Sequence, residues 1–251
     1  MDRLADCKEL LDGPLDDPVA LAANLRDLTW INRWLGGIRL SQRALDALVG
    51  SRVGPLTLLD IGTGAADIPA ALQALEAQHG RDLRVIAIDS RPEVVSAALA
   101  VCPELASRAG FTILVEDGRS LSKAAGSQDI VHASLVLHHL APDEAIVLLR
   151  EMGRVAGIGI IVNDLARGWF AWLGAWLLGH TLTRSRLTRH DAPLSVRRAY
   201  SPPEMRALLA TAGLRPIATI HGFLGHRYAI AAVPEPVTQP VTKPAGEAAT
   251  P

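Results

Sequence analysis

The chain has little cysteine, few aromatic residues and almost no net charge. Its two cysteines, Cys7 and Cys102, are too few for a disulfide framework or a cysteine metal cluster, so we expect a reducing, cytoplasmic location. A formal net charge of −1 over 251 residues gives no reason to expect a nucleic-acid partner. The first residues lack the basic start and apolar run of a signal peptide, and no apolar run reaches the ~18 residues of a membrane span.

Apolar residues make up 49% of the chain, enough for one sizeable core, and three apolar runs each end in an acid. The runs end at Asp60, Asp89 and Asp117. Short apolar runs that alternate with helical stretches are typical of βαβ units, whose parallel strands share one carboxyl edge. The predicted strands lie near 56–62, 83–89, 111–117, 129–137 and 158–164, and the predicted helices near 66–79, 91–101 and 142–154. We therefore expect the three acids along one edge of a parallel sheet, where open α/β folds bind ligands.

The first run leads into a glycine turn, Gly62-Thr63-Gly64, that has the form of a nucleotide-type cofactor loop. A dinucleotide fingerprint would have Gly or Ala where this chain has Asp67, and Asp60 would repel a pyrophosphate. S-adenosylmethionine instead carries a sulfonium and an ammonium group, which acids attract. The loop therefore favours this methyl donor over a nicotinamide and disfavours an oxidoreductase.

The two later acids admit another interpretation, because Asp frequently caps the helix that follows it. Asp89 could instead accept hydrogen bonds from both ribose hydroxyls of the cofactor, and Asp117 lies where an adenine amino group could be held. Three acids at the ends of successive strands favour the cofactor over the caps.

These motifs resemble those of the class I S-adenosylmethionine-dependent methyltransferases. The matching stretches are 60–64, residue 89, 116–118 and 129–140, and the resemblance spans roughly residues 50 to 233. The 137–140 stretch, Leu-His-His-Leu, is similar to the ubiquinone/menaquinone-biosynthesis-type branch, and Ala66 stands where many members carry a third glycine. The resemblance implies a Rossmann-like α/β fold with a doubly wound, mostly parallel, seven-stranded sheet. The cofactor-binding residues that follow are Asp60, Gly62, Thr63, Gly64, Asp89, Ser90, Asp117, Gly118 and Ser134, with Arg33 placed to reach the cofactor carboxylate.

Further segments flank this core. Apolar residues at helical spacing predict a helical cap over residues 1–50. The core then occupies 51–233, with a lid inserted at 165–200 that is long for a connection in a compact domain. Residues 234–251 carry five prolines among small and polar residues, which predicts a disordered tail.

The end of the core has its own signals. Ser201-Pro202-Pro203-Glu204 is a capping box with proline at the first helical position, and it predicts a helix that ends near Gly213. Residues 214–221 and 223–233 then form a predicted closing hairpin.

All five tryptophans lie outside the predicted sheet: Trp30, Trp34, Trp169, Trp172 and Trp176. Those of each segment share one helical face. We expect the two segments to meet above the cofactor and enclose an aromatic-lined pocket for a hydrophobic acceptor. The tryptophans could equally pack the lid on the core, or form the apolar face of a helix that rests on a membrane.

Histidines follow the predicted fourth strand. His138 and His139 are candidates for the base that takes the proton of a phenolic acceptor, although at least one of them is expected to be structural. Asn163 and Asp164 end the fifth strand on the same rim and could orient the acceptor or the cofactor ammonium. A metal site is not expected, because only Asp164 is evident for the acid cluster of magnesium-dependent methyltransferases.

The lid holds one more candidate base and a basic cluster. His190 is followed by Asp191, which could orient its imidazole, but an exposed pair in a polar loop is the commoner case. The lid arginines are Arg184, Arg186, Arg189, Arg197 and Arg198. They could hold an acceptor carboxylate or phosphate or meet anionic lipid, but a solvated face is the more frequent role of such a cluster.

The stretches 163–165 and 189–200 also resemble methyltransferases encoded beside bacterial type III polyketide synthases, which implies a phenolic or quinone lipid acceptor. We therefore predict an S-adenosylmethionine-dependent methyltransferase of secondary metabolism that methylates a phenolic oxygen of a hydrophobic small molecule. One alternative is carbon methylation of a quinone precursor. Another is a non-catalytic cofactor-binding protein whose tryptophan lid binds a partner or a membrane. Neither the acceptor nor the oligomeric state follows from the sequence.

Overall fold

The computed structural model describes residues 1–4 and 7–235 and contains a seven-stranded sheet. The strands are β1 (Leu56–Ile61), β2 (Leu83–Asp89), β3 (Phe111–Val115), β4 (Gln128–Ser134), β5 (Ala156–Leu165), β6 (Leu214–His221) and β7 (Arg227–Pro234). Their order is β3-β2-β1-β4-β5-β7-β6, and β7 runs antiparallel to both of its neighbours, whereas the other pairs are parallel. The predicted doubly wound, mostly parallel seven-stranded fold is confirmed.

Eight α-helices flank the sheet in this part of the chain. They are α1 (Pro18–Trp34), α2 (Gly37–Val49), α3 (Asp67–Gln78), α4 (Pro92–Val101), α5 (Pro142–Val155), α6 (Trp169–Thr181), α7 (Arg186–Arg198) and α8 (Pro202–Thr211). Helices α5 and α8 bury residues such as Met152 and Leu209 against one face of the sheet. Helices α2 and α3 bury Leu45 and Leu72 against the other. Because both faces are covered, the central strands can be apolar along most of their length.

The amino-terminal cap is helical only from Pro18 onward. Asp17 accepts hydrogen bonds from the backbone N–H groups of Val19 and Ala20, each at 3.0 Å, and Pro18 takes the first helical position. The described residues before it contain one 3₁₀ turn, Leu10–Asp12. The expectation of a helical segment over all of 1–50 is therefore corrected, because the proline after Gly13 cannot continue a helix.

Strand β4 ends at Ser134, three residues before its predicted end. Leu135 adopts a left-handed φ of 57°, and its N–H donates to the Asn163 carbonyl at 2.9 Å. A non-glycine residue in this conformation breaks the extended backbone. The chain then forms a 3₁₀ turn over Leu137–His139, which carries both candidate histidines.

The lid segment, which follows β5 and precedes α8 in the chain, contains α6 and α7. These two helices pack on each other, and α7 also contacts α1. The predicted capping box at the start of α8 is present, since the Ser201 N–H donates to the Glu204 carboxylate at 2.7 Å. None of the helices in the described ranges is long and apolar enough to cross a membrane. Residues 236–251 of the predicted disordered tail lie outside the described residues.

A buried guanidinium joins four elements at the carboxyl edge of the sheet. Arg227, at the start of β7, is 1% exposed. Its Nε donates to Asn163 Oδ1 of β5 at 2.7 Å, its Nη1 to Asn32 Oδ1 of α1 at 2.8 Å, and its Nη2 to Ser134 Oγ of β4 at 2.7 Å. Burial lowers the pKa of Arg227 to about 10, so the group remains a cation at neutral pH.

We predict that Arg227→Met lowers the free energy of unfolding by about 3 kcal/mol, because the buried oxygen atoms that accept from Arg227 lose their hydrogen bonds. Urea denaturation followed by circular dichroism measures the change. The matched control is Arg215→Met, an exposed arginine on β6, for which we expect a change within about 0.5 kcal/mol. Equal stability of the two variants would contradict the role given to Arg227.

Candidate active site

Two cavities lie side by side at the carboxyl edge of the sheet. The larger has a volume of about 760 Å³ and is bounded by the glycine loop after β1 and by the ends of β2 and β4. Eight residues predicted to bind the cofactor lie in its lining: Gly62, Thr63, Gly64, Asp89, Ser90, Asp117, Gly118 and Ser134. The structure therefore brings together most of the predicted cofactor site, at the edge where open α/β sheets bind ligands.

Two glycines in the wall of the larger cavity lie too close to neighbouring side chains to carry a side chain of their own. Gly62 has a φ of +63°, and a Cβ placed on it would come within 2.5 Å of Val136 Cγ2. Gly118 leaves no room for a Cβ either, because Ile61 packs directly against it. Both positions thus need glycine, which keeps the backbone at the cavity wall.

The acid at the end of β2 is oriented by the backbone. Asp89 Oδ2 accepts from the Gly64 N–H at 3.2 Å, and Oδ1 accepts from the Arg91 N–H at 3.1 Å. Burial raises the pKa of Asp89, with these hydrogen bonds opposing the shift. The carboxylate thus supports the turn into α4 and also faces the cavity, so the two interpretations of this acid are compatible.

The acid that follows β3 is more exposed. Asp117 accepts hydrogen bonds from the Arg119 backbone N–H at 2.9 Å and from the Arg119 guanidinium at 3.0 Å. These bonds hold the pKa of Asp117 below its usual value. Asp117 is therefore an ionised group at the cavity wall.

The larger cavity fits a ligand with several polar groups. Thr63 Oγ1 and Asn24 Oδ1 are buried in its lining and have no hydrogen-bond partner in the described residues. Buried polar atoms are normally paired, so these two atoms are available to a ligand. The volume also lies within the range of cofactor sites.

The smaller cavity, about 360 Å³, lies between α1, α6 and α7. Its wall is mainly apolar, with Leu28, Ile31, Phe170, Leu178 and Val196 among the lining residues. Glu9, His138, His139 and Ser195 lie close to one another and form a polar end of this cavity, and Asn24, Thr188, Asp191, His226 and Arg227 supply further polar groups. The two cavities share lining residues, namely Leu11, Asn24, Leu28, Leu135 and His139. A molecule in the smaller cavity would therefore adjoin one in the larger.

Each of the two adjacent histidines donates to a carboxylate. His138 Nδ1 lies 2.7 Å from Asp164 Oδ1, and His139 Nδ1 lies 2.7 Å from Asp12 Oδ1. A neutral imidazole that donates from Nδ1 in this way has its Nε2 as the acceptor. Burial alone would raise the pKa of Asp164, but His138 and the hydrogen bonds to Asp164 lower it overall.

Sequence reasoning missed the amino-terminal acids that complete this end of the cavity. Glu9 is 3% exposed, its Oε2 accepts from Ser195 Oγ at 2.8 Å, and its Oε1 has no hydrogen-bond partner among the described residues. Burial raises the pKa of Glu9 to about 7, against the influence of His139 and Arg198. No periodic signal marks these residues, since they precede α1 and lie in or next to the short 3₁₀ turn Leu10–Asp12.

Asp60 is corrected from a cofactor residue to a structural one. It is 2% exposed, pairs with His132 Nδ1 of β4 and does not line either cavity. His132 Nε2 in turn bonds Ser41 Oγ of α2 at 2.8 Å. Asp60 precedes the last residue of β1, so its side chain points toward α2 rather than into the cavity.

Three further predicted site residues lie elsewhere. Arg33 is exposed and stacks near the Trp34 ring, while its neighbour Asn32 lines the larger cavity. His190 has a side chain that is 51% exposed, and its Nδ1 bonds Asp191 at 2.8 Å, outside both cavity linings. Asn163 is buried behind the wall, where it donates to Gly37 and Ser41. Helix and strand periodicity alone could not assign these side chains to a face.

The tryptophans also require a correction. Trp169, Trp172 and Trp176 do share one face of α6, but the cavity is lined by the opposite face, through Ala171 and Ala175. Trp30 and Trp34 are likewise absent from both linings, and Trp34 is 66% exposed. The lid and α1 do enclose an apolar pocket, but its lining is mainly aliphatic.

The predicted arginine cluster is divided. Arg184, Arg186, Arg189 and Arg197 are exposed. Arg198 is 5% exposed, and it donates to Asp12 and to the His139 carbonyl. Arg198 therefore fastens the amino-terminal segment to the turn that carries the histidines.

Sequence comparison places a known domain over this region. Residues 58–159, less than half of the chain, match the family described as "Methyltransferase domain". The sequence has no significant match among curated proteins.

Solved structures share the fold at low identity. A SAM-dependent methyltransferase from Aquifex aeolicus is 20% identical, with 86% of this chain and 97% of that chain covered and a TM-score of 0.60. The O-methyltransferase family 2 protein from Planctomyces limnophilus DSM 3776, in complex with apigenin, is 18% identical, with 87% and 62% covered and a TM-score of 0.61. Human N-acetylserotonin methyltransferase in complex with SAM is 17% identical, with 90% and 61% covered and a TM-score of 0.63. Over residues 58–159 the chain therefore carries a methyltransferase domain, in agreement with the predicted methyltransferase enzyme, on a fold that it shares with methyltransferases of known structure.

Proposed function

We propose that the protein is a cytoplasmic enzyme of secondary metabolism that methylates a phenolic oxygen of a hydrophobic, polyketide-like small molecule. The observation that carries this proposal is the pair of adjoining cavities, of which the larger has more polar groups in its wall and the smaller is mainly apolar, with His139 in both linings. The resemblance to ubiquinone/menaquinone-type and polyketide-associated methyltransferases supports the same substrate class. Carbon methylation of a quinone precursor is the rival reaction at the same site.

The cofactor is assigned to the larger cavity. Asp89 would bind the ribose hydroxyls, Asp117 the adenine end, and the 62–64 loop the methionine part. When bound, S-adenosylmethionine supplies an electrophilic methyl group. Asn24 and Thr63 offer buried oxygen atoms to its remaining polar groups.

The acceptor is assigned to the smaller cavity. Its mainly apolar wall excludes water and holds a flat hydrophobic molecule, which leaves the hydroxyl to face the polar end. Without a bound cation, the His139 Nε2 lone pair is the group that accepts the hydroxyl proton, and Asp12 holds the ring in place. A phenol has a pKa near 10, so proton removal is useful at neutral pH.

Asp89→Ala tests the cofactor assignment. We expect a loss of about 1–3 kcal/mol in binding of S-adenosylhomocysteine, because the ribose hydrogen bonds are removed. Isothermal titration calorimetry measures this, with NAD as the negative control ligand. Asp82→Ala, an exposed acid next to the opposite end of the same strand, should bind like the unchanged protein. Unaltered affinity in Asp89→Ala would refute the assignment.

A volume series at Gly174 tests the acceptor assignment. Gly174 lines the smaller cavity, and a Cβ there meets no atom within 4 Å, so the first carbon of a side chain can be added without a clash. We expect Gly174→Leu to lower kcat/KM for phenols at least about tenfold and Gly174→Ala to have a small effect, with S-adenosylhomocysteine affinity unchanged in both. Product analysis by mass spectrometry and NMR identifies oxygen or carbon methylation. Full activity in Gly174→Leu would place the acceptor elsewhere.

A second proposal concerns where the acceptor enters. Five large apolar side chains are exposed on α6 and on the turn between β6 and β7 that contacts it: Trp169, Phe170, Trp176, Phe223 and Leu224. Phe170, Phe223 and Leu224 are 77–83% exposed and also line the smaller cavity, so they form its mouth. Exposed arginines at 184 and 186 follow α6 directly. This combination favours peripheral contact with an anionic bilayer that stores the acceptor.

Vesicle co-sedimentation tests this contact. We expect the protein to sediment with phosphatidylglycerol vesicles more than with phosphatidylcholine vesicles, and the Phe170→Gln/Phe223→Gln variant to lose about tenfold in partitioning. Val53→Gln is the control, since Val53 is 95% exposed and far along the chain from the lid. If the double variant partitions like the unchanged protein, these side chains do not contact the bilayer.

A further inference from the structure

The side chains of Glu9, His138 and His139 converge at the polar end of the smaller cavity. The proposed proton transfer to His139 does not explain why all three lie together. Glu9 comes from the amino-terminal segment, and His138 and His139 come from the turn after β4. One ligand atom of each lies within 4.8 Å of the other two. Glu9 Oε1 is 3.8 Å from His138 Nε2, and Glu9 Oε2 is 3.9 Å from His139 Nε2. None of these distances is a hydrogen bond.

The two histidines make the hydrogen bonds that are typical of metal ligands. The Nδ1 of His138 is held by Asp164, and the Nδ1 of His139 by Asp12, each at 2.7 Å. Metal-ligating histidines typically donate their other ring N–H to a carboxylate in this way, which fixes the ring and leaves the remaining nitrogen unprotonated. Both Nε2 lone pairs then lie on the side of Glu9.

A bound cation would also balance the negative charges at this site. Glu9 is 97% buried, and its Oε1 has no hydrogen-bond partner in the described part of the chain. Arg198 Nη1 is 3.6 Å from that oxygen, but Arg198 already donates to Asp12. Asp191, bound to the backbone of the amino-terminal segment, adds another negative charge nearby. A buried carboxylate without a full partner is costly, and a bound dication would remove that cost.

We propose that Glu9, His138 and His139 bind a divalent transition-metal cation, with its open coordination positions toward the acceptor. Two imidazoles and one carboxylate suit Zn²⁺, Co²⁺ or Mn²⁺ better than Mg²⁺, which prefers oxygen ligands. Metal–ligand bonds of about 2.1 Å place ligand atoms roughly 3–3.5 Å apart, so the ligand atoms of the three side chains need to close by up to about 1.5 Å when the cation binds. This inference revises the expectation that the protein has no metal site.

The metal site would add a role to the proposed function. This inference rests on the proposed function in one respect, namely that the acceptor occupies the smaller cavity. A Lewis acid at this position lowers the pKa of an acceptor hydroxyl and fixes its oxygen beside the larger cavity. The histidines then act as ligands, and the hydroxyl proton is released to solvent as the acceptor binds. An acceptor with two neighbouring oxygens, such as a catechol or a hydroxyquinone, would be favoured because it can chelate.

The test measures metal binding directly, without turnover. Chelator-treated, tag-free protein is titrated with Co²⁺ and followed by visible absorption and by calorimetry. We expect saturation at one Co²⁺ per chain with d–d bands, and displacement of the bands by Zn²⁺. Glu9→Gln and His139→Ala should each weaken the affinity at least about tenfold. His221→Ala removes an exposed histidine from β6 and is the matched control, expected to bind like the unchanged protein.

Thermal unfolding separates loss of binding from loss of fold. Glu9→Gln removes a buried charge whose Oε1 has no hydrogen-bond partner in the described residues, so it should fold as stably as the unchanged protein in the absence of metal. Zn²⁺ should raise the Tm of the unchanged protein and not that of Glu9→Gln. Absence of saturable binding, or binding that both variants retain, would overturn the metal site. Failure of the proposed function would instead be seen as absent binding of S-adenosylhomocysteine in the same preparations.

Discussion

The buried guanidinium of Arg227 is the interaction on which the arrangement of both cavities depends. Desolvating a cation is costly unless its donors are satisfied, so the three acceptors on α1, β4 and β5 are held in fixed positions around it. Two of the accepting residues, Asn32 and Ser134, line the larger cavity. Arg227 itself lines the smaller cavity. The network thereby joins the end of the sheet to the helix that covers it.

A short irregular segment closes the site from the other side. Asp191 of α7 accepts hydrogen bonds from the N–H groups of Leu10 and Leu11 at 2.8 and 3.0 Å. Asp12 bonds both His139 and Arg198. The lid, the amino-terminal segment and the histidine turn are thus linked by charged hydrogen bonds. Such contacts depend on geometry more than on hydrophobic pattern, which explains why hydrophobic periodicity did not predict this unit.

Local patterns predicted the parts of the site that local chemistry determines. The glycine loop and Asp89 were identified because a tight turn needs residues without a Cβ and because strand ends meet at one edge. Asp60 shows the limit of that reasoning. It also lies near a strand end, but its side chain pairs with His132 behind the wall of the cavity. Residues in strands alternate between faces, and the sequence does not state which face a cavity occupies.

The sequence by itself determined the α/β class, the order of strands and helices through the core, and the glycine loop that lines the larger cavity. Each follows from spacing and residue type within short stretches of chain. Only the tertiary structure decided that Glu9 and Asp12 meet His138 and His139, and that α6 turns its tryptophans away from the cavity. The physical reason is distance along the chain: about 130 residues separate these acids from the histidines, and only the closed fold brings their charges into contact.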